Sequence, residues 1–121
     1  MRTVANPVAV KIGQASELTV SGRKSGTPFS VAISPITVDG DLYLLAPRGE
    51  TDWVRNLRVV GEGELKHKGE TIHFTATELF GEERKHIVEE YQRQLGVVVA
   101  NYFRLLPDPA DHPSFRVIRK A

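Results

Sequence analysis

Residues 29–46, FSVAISPITVDGDLYLLA, predict two strands joined by a tight turn. From 29 to 38, bulky and small side chains alternate with the period of two that is typical of a strand with one core face. Asp39-Gly40, between two apolar runs, is a strong hairpin signal, and 42–46 is the predicted returning strand. Pro35 lacks a backbone donor, so the first strand should have an edge or a bulge there.

The same signals predict the rest of the fold. Further strands are predicted at 17–21, 64–67, 70–79 and 114–119. Helical segments are predicted at 52–60, 82–95 and 97–106, the last of them helical or irregular. Thr51 should cap the first helix and Gly61 should end it. The predicted fold therefore has about six mostly antiparallel strands and two to three helices. Its fold class is mainly β, within the α+β class. Hairpin links favour a small closed or partly closed barrel over a parallel doubly wound sheet.

Composition indicates one domain spanning residues 1–121. A hydrophobic content of 40% is ordinary for a globular domain, and a net charge of +1 is low for a nucleic-acid-binding protein. The absence of cysteine excludes disulfides and thiolate metal sites. No apolar run reaches membrane-spanning length, and the N-terminus lacks the apolar core of a signal peptide. We therefore expect a cytoplasmic protein with neither a nucleic-acid partner nor a membrane anchor.

Two motifs predict a binding site for an anion. Residues 22–26, GRKSG, place two cations and a hydroxyl on a turn bracketed by glycines, where backbone N–H groups can converge on one anion. Residues 46–57, APRGETDWVRNL, place Arg48 before a helix whose N-terminus favours negative charge. Together the motifs favour an anionic ligand of cofactor size. For the Arg23-Lys24 pair alone, a solvated turn is the competing interpretation.

Other chemistry is weakly supported. The Ser21-x-x-Lys24 spacing matches a serine–lysine nucleophile, but it straddles a strand end and a turn instead of a helix. The histidines show no metal-ligand spacing; they are His67, His73, His86 and His112. We therefore predict no metal site and no catalytic side chain, which points to chemistry carried by a bound cofactor.

Residues 17–26, ELTVSGRKSG, followed after a strand, a DG turn and a strand by APRGETDWVRNL, resemble the deazaflavin-dependent nitroreductase family. These split β-barrel oxidoreductases use the reduced deazaflavin coenzyme F420 as hydride donor. The resemblance covers about residues 17–79. It implies an F420-dependent reductase acting on a small oxidised acceptor: a quinone, an activated alkene or a nitroaromatic.

The resemblance also implies the site. The resemblance and the small face of the 29–38 strand together indicate a set of cofactor-binding residues: Arg23, Lys24, Ser25, Ala32, Ser34, Ala46, Pro47, Arg48, Trp53, Arg55 and Asn56. Tyr102 is the predicted substrate-pocket aromatic. Relatives often carry an arginine where this chain has Phe29, so phosphate contacts must come from the remaining cations, or the cofactor is held less tightly. A solvent-facing position of the small face is the competing interpretation.

Two alternatives stay open. The same barrel could bind flavin mononucleotide (FMN), as related split-barrel flavin oxidases do. It could also be a non-enzymatic carrier that holds the cofactor without an acceptor pocket. The open edge at Pro35 leaves both a monomer and a homodimer open.

Overall fold

The computed structural model describes residues 2–4 and 16–121. Its strands are β1 (Arg2–Val4), β2 (Ser16–Ser21), β3 (Pro28–Ile33), β4 (Ile36–Val38), β5 (Asp41–Leu45), β6 (Glu62–His67), β7 (Glu70–Glu78) and β8 (Ser114–Arg119). Its helices are α1 (Asp52–Val60), α2 (Gly81–Leu95) and α3 (Ala100–Leu105), with short 3₁₀ helices at Gly96–Val98 and Pro109–Asp111. The expectation that no signal peptide is present falls on the first 15 residues, most of which lie outside the described part.

The strands form one curled sheet in the order β1-β3-β2-β6-β7-β8-β5-β4. Neighbouring strands are antiparallel except β1 and β3, which are parallel. Only Ser34 and Pro35 separate β3 from β4, although these strands lie near opposite ends of the sheet order. Three Cα–Cα steps span at most about 11 Å, so the two ends of the sheet must approach each other. The split β-barrel expected from the sequence is confirmed.

The strand count differs from the expected six because the sheet has eight strands. The predicted 29–38 strand is interrupted at Ser34-Pro35 and becomes β3 and β4, with β4 at an edge of the sheet, where proline is tolerated. The other addition, β1, spans three residues, too few for an alternating pattern to be recognised. The predicted hairpin turn at Asp39-Gly40 is present, and a second turn at Lys68-Gly69 joins β6 to β7. Both turns have positive φ at both residues, as type I′ turns require.

Two hydrophobic cores cover opposite faces of the sheet. One joins the sheet to α1 through Val54 and Leu57, and the other joins it to α2 and α3 through Tyr91 and Phe103. Within β5, Leu44 belongs to the first core and Leu45 to the second, as strand alternation requires. No helix in residues 16–121 has the length and apolar character needed to cross a bilayer. The first core holds α1 firmly beside the end of the barrel where the two motifs meet.

Candidate cofactor site

The two glycine- and arginine-containing motifs meet around one cavity of about 500 Å³. Its walls come from the 22–25 turn, the start of β3, the segment after β5 and the first turns of α1. Of the residues predicted for the site, those that line it are Arg23, Lys24, Ser25, Ala46, Pro47, Arg48, Trp53 and Asn56. The curl of the sheet and the packing of α1 against β2 bring these distant segments together.

The 22–26 turn is closed by its own hydrogen bonds. The Gly22 N–H donates to Thr27 O at 2.8 Å, and the Gly26 N–H donates to Gly22 O at 2.9 Å. A Cβ at Gly22 would lie 2.8 Å from Ser25 Oγ, so this close approach requires glycine. Within the described residues, the backbone N–H groups of Lys24 and Ser25 donate to no partner. Two free N–H donors beside an ammonium group suit an anionic ligand.

The cations around the cavity differ in what they already bind. Across residues 16–121, no carboxylate lies within ion-pair distance of Lys24 or Arg48, and both side chains are exposed. The Arg48 guanidinium instead lies over the ring of Tyr102, 5.8 Å from its centroid. Arg55, by contrast, faces Glu50 at 3.7 Å and Asp52 at 3.5 Å. Lys24 and Arg48 are therefore the cations best able to meet a ligand's charge.

Within the described residues, Glu50 pairs with Arg55 and Arg58 and not with Arg48. Arg58 donates to Glu50 and also pairs with Glu78, its Nε lying 2.8 Å from Glu78 Oε1. The hydrogen bond from Arg58 lowers the pKa of the Glu50 carboxyl below its ordinary value. This acidic pair is thus engaged on the outer side of α1.

Thr51 corrects an expectation about the helix start. It occupies the N-cap position with extended backbone angles, but its side chain makes no capping hydrogen bond. The residue lines the cavity, and its Oγ1 is buried without a hydrogen-bond partner among the described residues. A buried hydroxyl without a partner is costly. The exposed cations and free N–H groups of the cavity, and not this hydroxyl, are the groups that fit a polar ligand.

Aromatic and aliphatic side chains form the rest of the wall. Trp53 packs on Phe115 with ring centroids 6.0 Å apart and presents surface to the cavity. Phe29 and Val31 line it from β3. Phe29, where relatives often carry arginine, therefore adds apolar surface to the cavity. Such a wall suits a flat conjugated ring, while the cations lie at the exposed rim.

Other predicted site residues lie elsewhere. Ala32, Ser34 and Arg55 are not part of the cavity lining, and Tyr102 reaches the site only through its contact with Arg48. On the small-residue face of β3, Ser30 contacts the cavity but is buried, with its Oγ 2.7 Å from Thr19 Oγ1. Of the β3 residues that line the cavity, Phe29 and Val31 belong to the bulky face of the strand. Sequence reasoning assigned the whole bulky face of β3 to the core and so missed the positions that line the cavity. The signal for such positions is a bulky residue at the part of a strand that extends beyond the core.

His112 supports the cavity from behind. It is fully buried, with Nδ1 3.0 Å from Ala46 O, Nε2 2.7 Å from Leu106 O and its ring centroid 4.2 Å from that of Phe103. It thereby connects the cavity-lining segment after β5 to the end of α3. Residues 16–121 contain no cluster of three histidine or carboxylate side chains that could hold a metal ion.

Comparisons with known proteins concern the family and the fold of the chain. The family model described as F420H(2)-dependent quinone reductase matches residues 3–103. A solved F420-H2 dependent reductase (FDR-A) is 22% identical, with a TM-score of 0.68, covering 97% of this chain and 98% of that one. A structure described as a domain-swapped dimer is 21% identical, with a TM-score of 0.67, covering 86% and 79%. A putative pyridoxamine 5'-phosphate oxidase from Listeria innocua is 12% identical, with a TM-score of 0.64, covering 93% and 88%.

At these identities, likeness to solved structures shows the fold, which they share over most of this chain's length. A search of the curated proteins finds no match. The family model supports the stronger conclusion of family membership, because it matches well over half of the chain. The protein thus belongs to the F420H2-dependent quinone reductase family and is an oxidoreductase whose coenzyme is F420.

Proposed function

We propose that the chain binds F420 in the cavity described above and reduces a quinone. The observation that carries the proposal is the pairing of two uncompensated cations and two free N–H groups with an adjoining apolar wall. The charged rim matches the phosphate and acidic tail of the coenzyme, and the apolar wall matches its ring. Such a division of one cavity into ionic and apolar parts is typical of cofactor sites.

The residues would divide the binding between them. Lys24, Arg48 and the N–H groups of the 22–26 turn would hold the phosphate and tail. Trp53, Phe29 and the segment at Ala46 would enclose the ring. When bound, the reduced coenzyme supplies a hydride equivalent.

The protein's part in the reaction is positioning. Fixed walls on one side of a ring leave the other side to an acceptor, and holding two reactants in contact replaces a bimolecular encounter. The side chains that form the apolar wall do not titrate, and the proposal takes the proton from water. A quinone is the first acceptor to test because the family model carries that activity in its description. Activated alkenes and nitroaromatics are the next two acceptor classes to test.

We expect F420 to bind more tightly than FMN and its reduced form to be oxidised by a naphthoquinone faster with the protein than without it. The chain has one tryptophan, Trp53, which lines the cavity, so quenching of its fluorescence reports binding there. Stopped-flow absorbance then follows oxidation with each acceptor class. Equal or tighter binding of FMN would support the flavin alternative. Protection of the reduced coenzyme from every acceptor would support the carrier.

Assembly and location form a second part of the proposal. A structural neighbour described as a domain-swapped dimer supports testing a homodimer against the monomer. Light scattering decides between them: a mass near 13.5 kDa indicates the monomer, and twice that value indicates the homodimer. The proposal keeps the expected cytoplasmic location, which cell fractionation tests.

A further inference from the structure

Arg23 is tied to the helix that faces it. Both its backbone N–H and its Nη1 donate to Asn56 Oδ1, at 3.0 and 2.8 Å. Asp52 Oδ1 lies 3.9 Å from the same Nη1 and adds charge compensation. Only 28% of the Arg23 side chain is exposed. Arg23 is thus engaged within the protein, unlike the uncompensated Lys24 and Arg48.

These two hydrogen bonds fix the orientation of the Asn56 amide. An N–H group can only donate, so the atom that faces Arg23 is the amide oxygen, and the NH₂ group points the other way. Asn56 is 6% exposed and lines the cavity. Within the described residues, its Nδ2 has no hydrogen-bond partner. A buried amide donor is therefore available to a ligand in the cavity.

The depth of Asn56 indicates which part of a ligand it meets. Lys24 and Arg48 are exposed at the rim, whereas Asn56 is almost fully buried beside Trp53 in the same helix. A phosphate group is stabilised at the rim, where cations and water surround it. A neutral acceptor on the ring suits the interior, where a single amide donor satisfies it without burying a charge.

We propose that Arg23 is a positioning residue: it holds Asn56 so that Nδ2 donates to a carbonyl oxygen or ring nitrogen of the deazaflavin. This inference rests on the proposed function and revises one part of the sequence prediction, in which Arg23 contacts phosphate. Nη1 of Arg23 already donates to Asn56 Oδ1 and lies 3.9 Å from Asp52 Oδ1, so part of its hydrogen-bonding capacity and charge is used within the protein. This engagement favours the positioning role over a phosphate role.

The test compares two ligands: F420 and the deazaflavin riboside that lacks the phosphate and the acidic tail. Titrations monitored by Trp53 fluorescence give the Kd of each ligand for each variant. Arg23→Ala should weaken both ligands by a similar factor, about three- to tenfold, as expected for one neutral hydrogen bond. Lys24→Ala is the matched control, because it should weaken F420 by at least about tenfold and leave the riboside unchanged.

Asn56→Asp distinguishes a positioning role of Arg23 from a role that only attaches the 22–26 turn to α1. It keeps an oxygen for Arg23 and so keeps the turn attached, but it replaces the free donor with an acceptor. It should weaken both ligands while the melting temperature of the ligand-free protein is kept. Normal binding by Asn56→Asp would overturn the inference, as would an Arg23→Ala variant that loses affinity for F420 alone or for neither ligand. If the wild-type protein bound neither ligand, the proposed function itself would fail.

Discussion

Replacing both Lys24 and Arg48 by alanine is expected to weaken F420 binding by at least about a hundredfold. A hydrogen bond to a charged group contributes roughly 1.5–3 kcal/mol, and each 1.4 kcal/mol is about a factor of ten in Kd. Neither side chain has a carboxylate partner among the described residues, so its loss leaves no unpaired acid behind. The melting temperature of the ligand-free protein should therefore change little. Fluorescence titration and thermal melting measure the two quantities.

Two controls accompany this prediction: a series of ionic strengths and a variant of a neighbouring arginine. Affinity of the wild-type protein should fall with ionic strength, and the double variant should lose most of this dependence. Arg55→Ala is the matched single variant, since Arg55 lies in the same motif but is not part of the cavity lining and faces Glu50 and Asp52. It should change Kd by no more than about twofold. A loss in Arg55→Ala equal to that in the double variant would place the phosphate elsewhere.

His112→Ala is expected to destabilise the protein by about 3 kcal/mol or more. The side chain is fully buried, its nitrogens contact two carbonyl oxygens, and its ring packs on Phe103. Truncation leaves a cavity and removes the imidazole contacts of the Ala46 and Leu106 carbonyls, each a recognised source of large losses. Denaturant unfolding measures the free energy. Because Ala46 lines the cofactor cavity, the Kd for F420 should rise as well.

The control for this variant is His86→Ala. His86 is an exposed residue of α2, so its replacement should change the free energy of unfolding by less than about 0.5 kcal/mol. Similar stability losses in the two variants would show that the His112 contacts contribute little. A stable His112→Ala protein that fails to bind F420 would instead assign this residue a role confined to the site.

Local signals in the sequence predicted much of the fold. The Asp39-Gly40 turn and the end of α1 at Gly61 depend on backbone conformations that a few adjacent residues impose. The Arg23–Asn56 hydrogen bonds could not be predicted, because they join residues 33 positions apart whose contact exists only after α1 packs on the sheet. The same holds for Tyr102, which meets Arg48 through tertiary structure.

The β3 strand shows a second kind of limit. Alternation separates two faces of a strand, but it does not reveal how far the core extends along either face. Ile33 packs in the core while Phe29, on the same face, lines the cavity. The small residues Ala32 and Ser34 therefore looked suited to a flat ligand, although the described cavity does not include them. The extent of the core along each strand is determined only in the assembled barrel.

The position of β8 affects how the protein is made. It is synthesised last of the eight strands, yet it pairs with β5 on one side and β7 on the other. Before Ser114–Arg119 leaves the ribosome, the β3-β2-β6-β7 pairs and the β4-β5 hairpin can form, but no strand pairing joins them. Nascent chains must therefore keep apolar surface exposed until β8 has been synthesised, a period in which chaperones and aggregation compete for them.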